Sequence, residues 1–284
     1  MNHLVELADG RTLAALGQGT WFLGENSRSR QTEIEALRTG FAEGMTLIDT
    51  AEMYGSGKSE DMVGEAISTL PRDQLYLVSK VLPQNANSRN MQQSCEASLR
   101  RLGTDYLDLY LYHWRGATPL EETVDCLERL VAAGKIRAWG VSNFDIDDME
   151  ELFQIPGGDH CVVNQVLYHL GSRGIEYSLK PWLKKHQVAL MAYCPLAQAG
   201  SLRDGLFEDG TVQQVAEKHG ATVSQLLLAW AIRDGNTIAI PRTGQAAHTR
   251  QNAAADSLQL DSEDLAALDA AFPPPRHKEY LDIQ

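Results

Sequence analysis

Short apolar runs and longer stretches of helical period alternate along the chain in one steady rhythm. The apolar runs predict strands at Leu16–Trp21, Thr46–Asp49, Leu75–Val81, Leu107–His113, Ile136–Ser142, Val162–Val166, Val188–Tyr193 and Ile238–Ile240. The segments between them have the length of ordinary globular helices. Ahead of this series, LVEL and RTLAAL flank Asp9-Gly10, which predicts an N-terminal β-hairpin. Thr118-Pro119-Leu120-Glu121 reads as a helix start, with Thr118 as the cap, a first-turn proline and Glu121 three residues after the cap. Leu120, Val124, Leu127 and Val131 then share a face, and Gly134 is a natural stop. Thr222-Val223-Ser224-Gln225 repeats the capping pattern before an apolar helix ending near Arg233. Such alternation implies parallel strands with crossover helices, and eight strands is the number that closes a (β/α)8 TIM barrel.

No Pro/Gly/Ser-rich linker or low-complexity tract interrupts the rhythm, so residues 1–284 read as a single barrel domain. The Pro273–Pro275 run ends the last helix. The short tail to Gln284 predicts no long lid over the mouth, so a fairly open site is expected.

Composition narrows the partners. The chain is 43% hydrophobic and 22% charged, which supports a large core. Its 25 basic residues against 38 acidic ones give a net charge of −13. Nucleic acid and anionic membranes need a basic surface, so neither is an expected partner. The start lacks a basic segment followed by a long apolar one, and LLLAWAI and VALMAY are too short to span a bilayer. Cys95, Cys126, Cys161 and Cys194 are scattered with no CxxC pair, as free thiols of a cytoplasmic protein would be. No Cys/His spacing predicts a metal. No heptad or interface motif calls for assembly, so a monomer is expected.

In a barrel, strand C-terminal ends converge on the mouth where catalytic residues gather. Asp49 closes TLID, Lys80 lies in LYLVSKV, His113 closes LDLYLYH, Ser142 and Asn143 follow IRAWGV, Gln165 lies in VVNQV, Tyr193 ends VALMAY and Arg242 follows IAIP. Taken singly, each has an ordinary role: Asp49 a cap, Lys80 a solvated lysine, Tyr54 a half-buried aromatic, His113 a hydrogen-bonded core histidine. Asn164 and Gln165 could satisfy backbone groups. Asp, Tyr, Lys and His delivered to one mouth by consecutive units are much harder to assign to packing.

At these residues the chain resembles the aldo-keto reductases. The signature runs from Gly44-Met45-Thr46-Leu47-Ile48-Asp49-Thr50-Ala51-Glu52-Met53-Tyr54-Gly55 through Ser59-Glu60 and Val63-Gly64-Glu65-Ala66-Ile67. LVSKV around Lys80, LRRLGTDYLDLYLYHW and GKIRAWGVSNF follow in the family's order, and the resemblance extends from Leu16 to the last helix. With NQVLYHLGSRGIEY included, the chain is most similar to bacterial members described as methylglyoxal reductases. The resemblance implies NADPH-dependent reduction of aldehydes and ketoaldehydes, with Asp49, Tyr54, Lys80 and His113 as the catalytic tetrad. Tyr54 would donate the proton, with its pKa lowered by Lys80, which Asp49 would hold in place. His113 would orient the substrate carbonyl. The hydride must come from a reduced nicotinamide, because no side chain can donate one.

No GxGxxG follows a strand, so the dinucleotide is not expected on a Rossmann fingerprint. The resemblance implies that Ser142, Asn143 and Gln165 hold the carboxamide and Tyr193 stacks on the nicotinamide. Gly19, Thr20, Trp21, Asp49, Cys194, Pro195 and Leu196 would line the same cofactor path. Ile240-Pro241-Arg242-Thr243 matches the adenosine-phosphate site, with Arg242 facing a 2′-phosphate, and His248, Gln251 and Asn252 lie around the adenine. This favours NADP(H), with NAD(H) also possible, because His248 stands where many members carry Arg. Arg250 lies nearby in sequence. Trp21, Tyr54, His113 and Trp114 would line the substrate pocket, although plain rim packing is the ordinary alternative for both tryptophans and explains Trp114 nearly as well. Arg115 stands where several relatives carry proline. Cys194 follows the stacking tyrosine and reads as an inert thiol.

Two other functions compete. A lyase would form a Schiff base on Lys80, but Asp49 and Tyr54 favour a charged lysine over a neutral nucleophile. A sensor would bind NADP(H) with negligible turnover, for which an intact tetrad has no use.

Overall fold

The computed structural model describes residues 1–197 and 201–284, with Ser201 and Leu202 described by backbone alone. The chain opens with an antiparallel pair, β1 (Leu4–Glu6) and β2 (Thr12–Ala14), in which Val5 faces Leu13. The Leu7 amide bonds to the Arg11 carbonyl at 2.8 Å, leaving Ala8, Asp9 and Gly10 as the loop. Gly10 supplies its left-handed residue at φ 82°.

The barrel strands follow in chain order as β3 (Gln18–Gly19), β4 (Leu47–Asp49), β5 (Tyr76–Val81), β6 (Leu107–Tyr112), β7 (Ile136–Ser142), β8 (Val163–Leu167), β9 (Ala189–Tyr193) and β10 (Thr237–Ala239). All eight lie side by side in that order, and every pairing is parallel. Parallel bridges from Leu16 to Ala239 and from Gly19 to Arg242 join the first strand to the last and close the barrel. The first strand is shorter than its apolar run predicts. Beyond Gly19 the chain leaves the ladder for the mouth loops, and at the seam a Cβ on Gly19 would stand 2.8 Å from the Ile240 carbonyl oxygen. Glycine permits that approach.

Helices fill the crossovers, and Ala246–Ala254 and Ser262–Ala271 follow β10. Thr222 and Gln225 form the expected capping box on helix Val223–Ile232. Thr118, by contrast, does not cap its helix. Pro119 occupies the cap position with an extended ψ of 136°, and its carbonyl accepts from the Glu122 and Thr123 amides. Gly134, at φ 68°, ends that helix as expected. Residues of β5 and β6 are buried throughout, as strands covered on both faces should be.

The N-terminal end of the barrel is sealed by the hairpin, with Val5, Leu7 and Leu13 buried. Asp108, buried near the start of β6, meets Arg72 at 2.8 Å, Arg137 at 3.1 Å and Arg11 at 3.6 Å there. Among the described residues no helix is long and apolar enough to cross a membrane.

Candidate active site

Strand register brings the polar residues together at the opposite end. Gly19 pairs with Asp49, Ser142 with Gln165, and Gln165 with Met191. Asp49 and Lys80 point into the sealed interior, where Lys80 is fully buried and the Asp49 side chain is 3% exposed. Lys80 Nζ donates to Asp49 Oδ2 at 2.7 Å, to the Thr50 carbonyl at 2.9 Å and to the Tyr54 hydroxyl at 3.1 Å. The other Asp49 oxygen accepts from Gln165 Nε2 at 2.8 Å, so the carboxylate is held from both sides of the barrel.

Tyr54 begins the 3-10 turn Tyr54–Gly57 that follows β4. A chain of buried hydroxyls fixes this turn to the strand ends. Ser59 Oγ donates to Thr20 Oγ1 at 2.9 Å, and Thr20 Oγ1 donates to the Asp49 carbonyl at 2.9 Å. The Tyr54 ring stands edge-on to His113, with centroids 6.0 Å apart, and 6.3 Å from Trp21.

Burial pushes the Tyr54 phenol well above its ordinary pKa, and the Asp49 carboxylate adds to the effect. This corrects the expectation of a lowered value: desolvation of the buried phenolate and the nearby Asp49 charge both favour the protonated phenol. The phenol therefore holds its proton at neutral pH, as a proton donor must. Burial also lowers the Lys80 pKa, opposed by Asp49. His113 is pushed down to about 2 by burial and then by the Lys80 charge, so its imidazole is neutral. Its Nδ1 is buried and has no hydrogen-bond partner among the described residues.

These groups border a cavity of about 760 Å³ at the C-terminal mouth. Of the predicted residues, Gly19, Thr20, Trp21, Asp49, Tyr54, His113, Trp114, Ser142, Asn143 and Gln165 line it. Tyr193, Cys194, Pro195, Leu196, Ile240, Pro241 and Arg242 complete the predicted part of the wall. Lys80 lies behind Asp49 and Tyr54, with its N–H groups turned to three acceptors, which leaves no free amine for a Schiff base. Thr243 lines an adjoining cavity that shares Arg242. His248, Gln251 and Asn252 border neither cavity: His248 and Gln251 are exposed, and Asn252 is buried.

Ser142, Asn143 and Tyr193 form one linked group. Tyr193 donates its hydroxyl proton to Asn143 Oδ1 at 2.9 Å, and Asn143 Nδ2 reaches the His113 carbonyl at 3.2 Å. Ser142 Oγ donates to the Gln165 carbonyl at 2.8 Å. Among the described residues, six non-glycine residues have positive φ, and Phe22, Asn143, Cys194 and Ala197 among them line one of the two cavities. Such concentration of unusual backbone at a cavity is what functional sites show. Burial pushes the Cys194 thiol up to about 11, opposed by Arg242, so the thiol is protonated at neutral pH.

Several lining residues escaped the sequence reading. Met53 and Ala197 come from mouth loops that carry no periodic signal, and Arg203 comes from the helix Ser201–Glu208 beyond β9. Ile283 and Gln284 are the larger surprise. The tail is short, yet it crosses the mouth, held by Lys278 on Asp147 at 2.8 Å and by a hydrogen bond from Ser172 to Asp282. The site is therefore less open than tail length suggested. Arg115 is tied to Asp148 and Glu151 at 3.0 and 2.6 Å.

The donor set suits a dinucleotide. An amide, a hydroxyl and an aromatic face lie at the barrel centre, and Arg242 stands at the outer edge with no acidic partner among the described residues. Comparison with known proteins points the same way. Residues 15–272 match the model of the Aldo/keto reductase family. Methylglyoxal reductase YeaE of Escherichia coli (strain K12) is 53% identical over 280 residues, covering 99% of this chain and 98% of that protein. An NADH-specific methylglyoxal reductase of the same organism is 29% identical over 305 residues, covering 89% of this chain and 93% of that one. The crystal structure of an aldo/keto reductase from Klebsiella pneumoniae in complex with NADP and acetate has a TM-score of 0.97 and 53% identity, with 100% of each chain covered. The match extends over nearly the whole barrel and includes every strand that builds the mouth, and the chain belongs to the aldo/keto reductase family.

Proposed function

We propose that this chain reduces small aldehydes and ketoaldehydes, methylglyoxal among them, to alcohols with NADPH, and that Tyr54 is the proton donor. The observation that carries the reading is the buried contact of Lys80 Nζ with the Tyr54 hydroxyl at 3.1 Å, beside a cavity large enough for a nicotinamide and a small carbonyl. NADPH, when bound, supplies the hydride to the carbonyl carbon. Ser142, Asn143 and Gln165 would hold its carboxamide, Tyr193 would face its ring, and Arg242 would meet its phosphate end. NADH, which lacks the 2′-phosphate, would bind more weakly.

The chain's own residues manage the oxygen. The neutral His113 imidazole donates an N–H to the carbonyl oxygen and fixes its direction. Tyr54 passes its proton to the same oxygen as negative charge develops there. Lys80 donates to the phenolate oxygen left behind, and Asp49 keeps the ammonium charged against the cost of burial. Trp21 and the tail residues Ile283 and Gln284 restrict water at the mouth.

In this reading residues 1–284 act as one domain and as a monomer in the cytoplasm. The net charge of −13 supports the absence of a nucleic-acid partner. The test is NADPH consumption across methylglyoxal, aromatic aldehydes, sugars and ketones, with NADH in parallel. Alcohol formed in proportion to NADPH oxidised is the expected result. Absence of oxidation with every carbonyl would remove the reading.

A further inference from the structure

Arg242 borders a second cavity of about 570 Å³, so the two spaces adjoin at this side chain. Two arginines face the second cavity, Arg242 from the loop after β10 and Arg28 from the loop after β3. Neither guanidinium has an acidic partner among the described residues. The Arg242 guanidinium stands 5.9 Å from the centroid of the Phe22 ring. Glu33 is the carboxylate in the lining, and both its oxygens are engaged: Oε2 accepts from the Gly24 amide at 2.8 Å and Oε1 from Ser29 Oγ at 2.7 Å. In a chain of net charge −13, two unpaired guanidiniums at one concave surface are a departure that packing does not explain.

The residues nearby in sequence do not supply this charge. Arg250 is paired with Glu43 at 3.8 Å, and His248 borders neither cavity. Thr243 and Gln245 add polar groups on the β10 side. Arg242 is the residue already read as meeting the cofactor's phosphate end, and we infer that Arg28 joins it there, so that the ribose 2′-phosphate is clamped between the two guanidiniums across the second cavity. Arg28 is then the specificity-determining residue that completes the phosphate site from the far side of the barrel seam. The inference rests on the cofactor reading given above. A phosphomonoester offers three oxygens, enough for both guanidiniums at once, and each contact is charge-assisted.

The test is equilibrium binding, followed by quenching of tryptophan fluorescence. Wild type, Arg28→Gln, Arg28→Lys and Arg242→Gln are titrated with NADPH, NADH, adenosine 2′,5′-bisphosphate and ADP. Arg28→Gln is expected to weaken NADPH and the 2′,5′-bisphosphate about tenfold while changing NADH and ADP less than about twofold. Arg28→Lys is expected to recover part of the loss, because it keeps the charge but not the fork. Two results overturn the inference: equal weakening of NADPH and NADH by Arg28→Gln, or loss of NADPH selectivity in Arg242→Gln alone. A wild type that binds NADPH no better than NADH would instead overturn the NADPH preference on which the inference rests. Both arginines are exposed, so the variants are expected to fold.

Discussion

Two aspartates are buried at opposite ends of the same barrel, and only one of them belongs to a site. Asp108, near the start of β6, is met by Arg11, Arg72 and Arg137, whose side chains are 23–48% exposed. Asp49, at the end of β4, is met by a lysine with no exposure at all. At the N-terminal end, guanidiniums reach water and share one carboxylate under the hairpin. At the mouth, the ammonium is enclosed, and its remaining N–H is turned to a phenol on the wall of a cavity. A buried carboxylate with cationic partners is thus a structural device by default. A proton-bearing group beside a space for substrate makes it chemical.

The largest expected effect tests that distinction directly. Tyr54→Phe removes the proton donor without removing an ion pair, so kcat should fall about 10²–10⁴-fold. NADPH affinity and thermal stability should change little, and steady-state kinetics with a binding titration checks both. Lys80→Met strikes the pair itself. It leaves the Asp49 carboxylate buried with Gln165 as its one side-chain partner among the described residues, which should cost about 3–5 kcal/mol of stability as well as activity. Asp108→Asn is the counterpart at the other end. Its arginines can turn to solvent, so about 2–3 kcal/mol should be lost in urea unfolding, with kcat within about twofold of wild type. Equal damage to turnover from Asp108→Asn and Lys80→Met would erase the difference between the two ends.

The same contrast explains what could be read from the sequence. The barrel was legible because eight apolar runs alternate with segments of helical period, and the hairpin because of its Asp9-Gly10 turn. Asp49, Lys80 and His113 were legible because each sits at or next to a strand end, where register brings it to the mouth, whereas Tyr54, on the turn beyond β4, was legible through the resemblance of its motif. Asp108 carried no such sign, since its arginines come from the hairpin, a 3-10 turn and the next strand. The tail was misjudged because length says nothing of direction: Ile283 reaches the cavity through anchors such as Lys278 on Asp147, contacts between segments far apart in the chain. The direction of the Tyr54 shift was also beyond a motif. It depends on how completely the fold removes water, which strand order fixes and residue spacing does not. Thr118 failed for a local reason, because Pro119 took the cap position.

The smallest predicted effect follows from how each end tolerates positive charge. Three guanidiniums coexist around Asp108 because solvent screens them, whereas the enclosed mouth holds Lys80 and refuses a second cation at His113. His113 stays neutral in the folded chain down to a pKa of about 2, while the unfolded chain takes up a proton near pH 6.5. Below that pH the unfolded state binds the extra proton, so this group's contribution to stability falls as pH falls. His169, pushed down to about 4 by burial, acts in the same direction over a narrower window. Each contributes a slope approaching about 1.4 kcal/mol per pH unit between its folded value and 6.5. His113→Gln should therefore flatten the loss of stability between pH 6.5 and 4.5 by nearly one proton's worth, leaving the His169 contribution in place. Urea unfolding of both proteins at several pH values in that interval measures the difference. Parallel curves would mean that the folded mouth accepts a proton at His113, and that it is no better sealed than the end that holds Asp108.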